Sequence, residues 1–208
     1  MKKNRCVIIS GGDYDDAVEI NGDDYVIACD KGYEYACRMG KKPDLVVGDF
    51  DSYTGRVETG IPVERYPVRK DDTDTMAAVK IAVEKEYKKI CICCAFGGRM
   101  DHAFANCQSG VYAAKKGCDV CIIGNDTRVF FIHNGEKKLE CAEGWSLSVF
   151  SMSDESTGIS IEGTEYDVSG VSLSSDYPLG VSNEWREKIA RISVENGTLM
   201  LVESRMGE

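Results

Sequence analysis

The stretch Pro43-Asp44-Leu45-Val46-Val47-Gly48-Asp49-Phe50-Asp51-Ser52 decides how the first half of this 208-residue chain folds. Its apolar run, residues 45–48, predicts a buried strand, and carboxylates follow at two alternate positions, Asp49 and Asp51. In an α/β sheet, ligands bind at the carboxyl ends of strands. Two aspartates beyond such an end can face one Mg²⁺ ion, which favours a few carboxylates together with phosphate oxygens. A solvated acidic turn has the same residue types, so this motif alone leaves both interpretations open.

Strand-like and helix-like segments alternate on both sides of this stretch. Such alternation predicts an α/β domain with a mainly parallel sheet. Strands are expected at residues 5–10, 25–29, 45–48, 63–66, 89–95 and 120–124. Helices are expected at residues 32–39, 73–87 and 101–116, and the second of these has the clearest apolar stripe at helical spacing.

The pattern changes from about residue 134 onward. Short β-prone runs separated by Gly, Ser, Asn and Asp follow one another at residues 145–150, 158–162, 170–173, 188–194 and 198–203. Helical periodicity is absent, and this spacing predicts a small all-β, sandwich-like domain. We therefore predict an α/β N-terminal domain over residues 1–133 and a β-rich C-terminal domain over residues 134–208.

The charge balance narrows the class of partner. The chain has 35 acidic and 25 basic residues, a net charge of −10, which opposes binding to nucleic acid or to an anionic membrane surface. No apolar stretch approaches the roughly 20 residues of a membrane-spanning helix, and the apolar run near the N-terminus is too short for a signal peptide. We expect a soluble, cytoplasmic protein, with no nucleic acid or membrane as partner and with its ten cysteines reduced.

Two cysteine patterns invite a zinc interpretation. The run Cys91-Ile92-Cys93-Cys94 lies within an apolar segment, where cysteine behaves as a small buried hydrophobe. Cys118 and Cys121 form one Cys-x-x-Cys pair, but no second pair accompanies them. We interpret the run as core, and a metal site at the pair is a hypothesis that lacks the second pair such sites have.

A second acidic cluster, Arg69-Lys70-Asp71-Asp72-Thr73-Asp74, precedes the clearest predicted helix. Three carboxylates within four positions repel one another unless cations compensate. Capping of the helix by Asp72 or Thr73 needs no ligand. Capping accounts for one of the carboxylates but not for all three.

A third motif, Phe96-Gly97-Gly98-Arg99-Met100-Asp101-His102, joins a predicted strand to a predicted helix. Its two glycines let backbone amides approach a phosphate, and Arg99 can hold phosphate oxygens with two hydrogen bonds. Asp30 follows yet another strand. Four strand ends with aspartate on one sheet edge are costly without bound cations, so together they favour a metal and phosphate site.

Taken in order, these motifs resemble the three acidic signatures of the thiamine pyrophosphokinase family. Ser182-Asn183-Glu184-Trp185 resembles the Ser-Asn-Glu-aromatic element of that family's C-terminal domain. From the residue type alone, without the resemblance, Trp185 is interpreted as a core residue. The resemblance covers nearly the whole chain and implies an α/β catalytic domain, a C-terminal β domain that binds thiamine, and a homodimer with thiamine near the subunit interface. It also implies Mg²⁺, ATP as co-substrate, and transfer of the whole pyrophosphoryl group from ATP to the hydroxyl of thiamine, giving thiamine diphosphate and AMP.

Carried over by motif, the resemblance implies four sets of site residues. The expected magnesium ligands are Asp49, Asp51, Asp74 and Asp101. The expected ATP-binding residues are Asp30, Lys70, Arg99 and His102. The expected catalytic residues are Asp71, Asp74, Arg99 and Asp101, and a carboxylate would accept the proton of the thiamine hydroxyl. The expected thiamine contacts are Ser182, Asn183 and Trp185, the last because an electron-rich ring suits a cationic thiazolium.

The sequence departs from the family pattern in places. Lys31 stands where many relatives have a second glycine, and Met76 stands where an acidic residue is frequent. Two other functions stay open at this point: a metal-dependent transferase or hydrolase of nucleotide phosphates that does not use thiamine, and a non-catalytic sensor of nucleotide or thiamine. The Ser-Asn-Glu-Trp element is what favours the thiamine enzyme over the first of them.

Overall fold

The structure is a computed structural model that describes residues 5–48, 57–65 and 72–207. Four predicted site residues lie outside these ranges, and they are Asp49, Asp51, Lys70 and Asp71. The chain divides into two compact units, residues 1–125 and residues 126–208.

The first unit contains a parallel sheet flanked by helices. Its elements are β1 (Arg5–Ile9), β2 (Asp24–Cys29), α1 (Gly32–Arg38), β3 (Leu45–Gly48), β4 (Val63–Arg65), α2 (Asp74–Glu84), β5 (Lys89–Cys93), α3 (Met100–Lys115) and β6 (Asp119–Ile123). The strand order is β6-β5-β1-β2-β3-β4, and each of these pairings is parallel. The chain therefore builds the sheet from β1 to β4 and then returns to the other edge of β1 with β5. The carboxyl ends of β1 and β5 form a topological switch point, where open α/β sheets bind ligands.

Apolar strands form the core of this unit. Ile8, Ile27 and Ile92 are fully buried, and Cys91, Cys93 and Cys94 are buried with them. Strands buried on both faces read as continuous apolar runs, which explains the sequence of β1 and β5. The cysteine run is thus part of the core, as expected, and all ten cysteines of the chain are free.

The predicted helices are present with small differences at their ends. Thr73 caps α2, because its hydroxyl accepts a hydrogen bond from the Met76 amide at 3.1 Å. The helix ends at Glu84, three residues short of the predicted end at Tyr87, since Glu86 adopts a left-handed conformation with φ of 61°. Tyr87 is nevertheless buried, stacked on Tyr25 with ring centroids 5.4 Å apart.

The second unit is an antiparallel sheet. Its strands are β7 (Thr127–Glu140), β8 (Trp145–Ser151), β9 (Glu155–Glu162), β10 (Val168–Ser174), β11 (Gly180–Asn183) and β12 (Ile189–Arg205). The 17-residue β12 pairs with β7 along one edge and with β9 and then β8 along the other. Buried aliphatic side chains from these strands, among them Leu147, Ile159 and Leu199, form its core.

The fold prediction is confirmed in part, by parallel pairings in the first unit and antiparallel pairings in the second. Two strands were not predicted, β7 and β11. The predicted runs 188–194 and 198–203 are one strand, β12, with a register shift between Val194 and Thr198. In the described ranges, no helix has both the length and the apolarity to cross a membrane.

Candidate active site

A cleft with a volume of about 420 Å³ lies at the carboxyl end of the parallel sheet. It is lined by residues 10–13 after β1, residues 29–31 after β2, residues 73–75 at the start of α2, and residues 95, 97–99, 102 and 106 around the start of α3. The cleft thus occupies the switch point between β1 and β5. Its volume falls in the range of small-molecule sites.

Two glycine loops interlock at the floor of the cleft. The Gly12 amide donates to the Cys94 carbonyl and the Asp13 amide to the Phe96 carbonyl, both at 2.8 Å. A Cβ on Gly12 would lie 2.5 Å from the Phe96 carbonyl oxygen, and a Cβ on Gly97, whose φ is +81°, would overlap the Asp13 carboxylate. Glycine is therefore required at both positions, and the bare backbone lets a phosphate approach closely.

The first of these loops was not among the predicted site residues. Its signal is visible in the sequence, because Ser10-Gly11-Gly12-Asp13 directly follows a strand just as Gly97-Gly98 follows another. A hydrogen bond of 2.8 Å between the buried Ser10 and Thr75 hydroxyls ties this loop to the first turn of α2. The loop after β1 and the helix that begins with Asp74 are thereby held together.

Within residues 5–48, 57–65 and 72–207, the carboxylate residues that line the cleft are Asp13, Asp30 and Asp74. Asp30 is only 7% exposed and has a left-handed backbone, with φ of 46°. Its Cα and Cβ pack against Gly48 at the end of β3, where a Cβ would lie 3.1 Å from the Asp30 Cβ. Asp74 is the first residue of α2, where the partial positive charge of a helix N-terminus suits a carboxylate. The prediction that strand-end aspartates converge therefore holds for Asp30 and Asp74.

Asp72, the middle carboxylate of the acidic cluster before α2, has a different role. Asp72 forms an ion pair with Lys80, with Nζ–O distances of 2.6 and 2.9 Å, and it is not among the residues that line the cleft. Because Thr73 is the cap, Asp72 is not needed for capping. The α2 helix thus begins with one capping hydroxyl, one ion-paired carboxylate and one carboxylate in the cleft.

Arg99 and Asp101 form a fork at the start of α3. Arg99 Nε donates to Asp101 Oδ1 at 3.1 Å and Arg99 Nη2 donates to Oδ2 at 2.5 Å, while both side chains stay exposed. The guanidinium lowers the pKa of the Asp101 carboxyl below its ordinary value, and the His102 amide, which donates to Oδ1, acts in the same direction. Arg99 and His102 line the cleft, whereas Asp101 lies beside it.

The described residues offer carboxylates of the kind that bind magnesium. No group of three metal-binding side chains is found among residues 5–48, 57–65 and 72–207. The carboxylates of Asp30 and Asp74 are nonetheless hard oxygen donors, the type that Mg²⁺ prefers in combination with phosphate oxygens and water. The donor chemistry of the cleft therefore fits magnesium, with Asp49 and Asp51 outside the described residues.

The predicted thiamine contacts lie in the second unit. Asn183, at the end of β11, is buried, and its amide makes four hydrogen bonds. Its Nδ2 donates to the Thr164 hydroxyl at 2.9 Å and to the Tyr166 carbonyl at 3.0 Å, and its Oδ1 accepts from the Tyr166 and Glu184 amides at 3.0 Å each. An asparagine amide has two donors and two acceptor lone pairs, so its hydrogen-bonding capacity is used within the chain. Asn183 joins β11 to the loop that contains Thr164 and Tyr166.

Ser182 and Trp185 flank this asparagine. Ser182 is exposed and left-handed, with φ of 58°, and its amide donates to the Ser148 hydroxyl at 3.0 Å. Trp185 is half-buried against the core of the unit and forms an isolated β-bridge with Thr164. Within the described part of the chain, its buried Nε1 has no hydrogen-bond partner. Trp185 thus combines a ring packed on the core of the unit with a buried donor that the described residues do not use.

Each of the two units matches the model of a known domain. Residues 18–122 match the model of the thiamin pyrophosphokinase catalytic domain, and residues 136–199 match the model of the thiamin pyrophosphokinase vitamin B1 binding domain. The chain is 28% identical over 184 residues to the thiamine pyrophosphokinase of Bacillus subtilis (strain 168), covering 86% of each chain. Among solved structures it resembles thiamine pyrophosphokinase from Bacillus subtilis, with a TM-score of 0.88, 24% identity and 96% and 98% of the two chains covered. It also resembles thiamin pyrophosphokinase from Geobacillus thermodenitrificans, with a TM-score of 0.84, 23% identity and 96% and 97% covered. The chain therefore belongs to the thiamine pyrophosphokinase family of enzymes.

Proposed function

We propose that this protein transfers the pyrophosphoryl group of ATP to the hydroxyl of thiamine, giving thiamine diphosphate and AMP. The observation that carries the proposal is the cleft at the switch point, where two interlocked glycine loops meet carboxylate and cationic side chains. Backbone amides and cations of this kind suit a polyphosphate chain. The match to both domain models supports thiamine as the acceptor.

Catalysis of this transfer consists mainly of in-line positioning and charge stabilisation. Asp30, Lys70, Arg99 and His102 are proposed to bind ATP. Asp49, Asp51, Asp74 and Asp101 are proposed to hold Mg²⁺, which when bound would neutralise charge on the phosphate oxygens. Asp71, Asp74, Arg99 and Asp101 are the proposed catalytic residues, and a carboxylate accepts the proton of the attacking hydroxyl.

The fork between Arg99 and Asp101 has a place in this scheme. Both side chains are exposed, at 73% and 62%, and exposed ion pairs contribute little net free energy. The pair can therefore open at small cost. Arg99 is then available for phosphate oxygens and Asp101 for the metal.

Thiamine is proposed to bind in the second domain, residues 134–208, with the nucleotide and metal in the first, residues 1–133. Trp185 offers its ring to the cationic thiazolium and Ser182 its exposed hydroxyl. Because the Asn183 amide is saturated, we assign it a positioning role: it holds β11 to the loop around Thr164 and thereby fixes its two neighbours.

The proposal extends to assembly and location. Dimerisation through the sandwich-like second domain is supported by its exposed large apolar side chains, among them Tyr166, Tyr177, Leu179, Val181 and Ile189. Light scattering on the purified protein should give twice the chain mass, and a monomeric mass would contradict the homodimer. A cytoplasmic location is supported by the ten free cysteines.

Product analysis tests the proposed reaction. The protein is incubated with ATP, Mg²⁺ and thiamine, and the nucleotides and thiamine esters are separated by chromatography. AMP and thiamine diphosphate should appear in equal amounts, and only when thiamine is present. Formation of ADP, or of AMP without thiamine, would show that the protein is a different phosphate-cleaving enzyme, and no turnover at all would favour a sensor.

A further inference from the structure

Lys31 is a cleft residue that none of the predicted site sets contains. It follows Asp30 directly and lines the same cleft as the two glycine loops. Its Cβ lies 3.7 Å from the position that a Cβ on Gly11 would occupy, so its stem runs beside the first glycine loop. The side chain is exposed, and its ammonium group therefore keeps its charge and its access to a ligand.

Tyr35 holds both Lys31 and the glycine loop. The Lys31 Nζ lies 5.3 Å from the centroid of the Tyr35 ring, within the range of a cation–π contact. The ring is buried, and its hydroxyl donates to the Gly12 carbonyl at 2.7 Å. One rigid side chain thus connects the ammonium group to the backbone of the cleft floor.

The charges around the cleft favour an anionic ligand for Lys31. Of the described residues that line the cleft, three have carboxylates and two, Lys31 and Arg99, are cationic. Arg99 is bound at both oxygens of Asp101. Among the described residues that line the cleft, Lys31 is the cation without an ion-paired carboxylate. A polyphosphate chain entering this acidic cleft needs such a group.

We infer that Lys31 binds the polyphosphate chain of the nucleotide, with Tyr35 setting its position. The inference rests on the proposed function, since it assigns a contact to the ATP substrate proposed above. Lys31 would donate charge-assisted hydrogen bonds to phosphate oxygens while its stem stays between the first glycine loop and the Tyr35 ring. The alternative is that the Lys31 ammonium group contacts the Tyr35 ring and binds no phosphate.

Lys116 provides a matched control. Its Nζ lies 5.6 Å from the centroid of the Tyr112 ring and its side chain is exposed, as at Lys31. Lys116 follows the last residue of the 16-residue α3, whereas Arg99 precedes the first, so the two helix ends are about 24 Å apart. Replacing either lysine by methionine removes one charge and one ring contact, but only Lys31 lies in the cleft.

Calorimetric titration of the full chain with ATP and Mg²⁺, without thiamine, tests the inference. Lys31→Met should weaken ATP binding about tenfold, Lys31→Arg should restore most of it, and Lys116→Met should stay within about twofold of the unsubstituted protein. Adenosine, which has no phosphate, should bind equally to the unsubstituted protein and to Lys31→Met. Equal ATP affinity in Lys31→Met and Lys116→Met would overturn the inference, and so would an equal loss for adenosine.

The same titration separates this inference from the proposed function. If the protein binds ATP and Lys31→Met does not weaken that binding, the role of Lys31 is wrong while the transfer reaction stands. If Lys31→Met weakens ATP binding but the product assay gives no thiamine diphosphate, the lysine assignment stands and the proposed reaction fails. A protein that binds no ATP would overturn both.

Discussion

Replacing Asn183 by alanine should destabilise the second unit while leaving the first intact. The substitution removes four hydrogen bonds. Three of them involve the backbone of the exposed residues Tyr166 and Glu184, where water can substitute, while the fourth reaches the fully buried Thr164. At about 0.5 kcal/mol for each of the first three and about 1 kcal/mol for the fourth, the expected loss is about 2 to 3 kcal/mol.

Urea unfolding followed by tryptophan fluorescence measures this loss selectively. The chain has two tryptophans, and both, Trp145 and Trp185, lie in the second unit. Asn196→Ala, at an exposed asparagine of the same unit, is the control and should change the free energy of unfolding by less than about 0.5 kcal/mol. The positioning role also predicts a higher KM for thiamine. An Asn183→Ala protein that unfolds at the same urea concentration as the unsubstituted protein, yet has a higher KM, would refute the role and indicate direct contact with thiamine.

Three further predictions concern the first unit. Asp74→Asn should lower kcat by at least about a hundredfold, because it removes a proposed metal ligand. Asp72→Asn, at a residue outside the cleft lining, should retain most activity. Steady-state rates of AMP formation compare the two variants, and equal losses would contradict the assignment of Asp74. Thr73→Ala should reduce the free energy of unfolding by about 1 kcal/mol, since it removes the cap on Met76 N, and an unchanged urea midpoint would count against it. Burial raises the pKa of Cys107 to about 11, so its thiol stays protonated at pH 8, and its alkylation rate should rise about tenfold per pH unit between pH 8 and 10. Mass spectrometry of iodoacetamide-treated protein checks the rate, and fast labelling of Cys107 at pH 8, comparable to that of the exposed Cys37 and Cys141, would be inconsistent with burial.

The parallel sheet was accessible to sequence reasoning because its signal is local. Except for the exposed β4, each strand of the first unit contains a short apolar run. The rule that ligands bind at carboxyl ends then predicts Asp30 and Asp74 at one edge of the sheet. The strands of the second unit are harder to find. β7 contains Asn134-Gly135 and β12 contains Asn196-Gly197, and both read as turns.

The structure explains why these two sites do not end their strands. Gly135 is paired with Val194 and His133 with Thr198, so the two irregular positions face each other across the β7 and β12 pair. The Asn134 side chain accepts a hydrogen bond from the Gly197 amide at 2.8 Å, which bridges the irregularity. A residue-by-residue pattern cannot reveal a partner some 60 positions away, because the compensation is tertiary.

Tertiary contacts also limit what the sequence can predict about the site. The sequence motif around Asn183 indicated a ligand contact, but its amide is used by Thr164 and Tyr166, and that pairing depends on how the loop before β10 folds back. The interlocked glycine loops likewise depend on β1 and β5 becoming neighbours. Motif spacing identified the chemistry of the cleft, and the sheet topology determined which residues line it.

In the proposed reaction the β- and γ-phosphates of ATP are transferred together. ATP labelled with ³²P at the β-phosphorus, incubated with the protein, Mg²⁺ and thiamine, tests this transfer most directly. The label should move into thiamine diphosphate, and the AMP formed should be unlabelled. Label that stays in ADP, with thiamine monophosphate or inorganic phosphate as the other product, would contradict it.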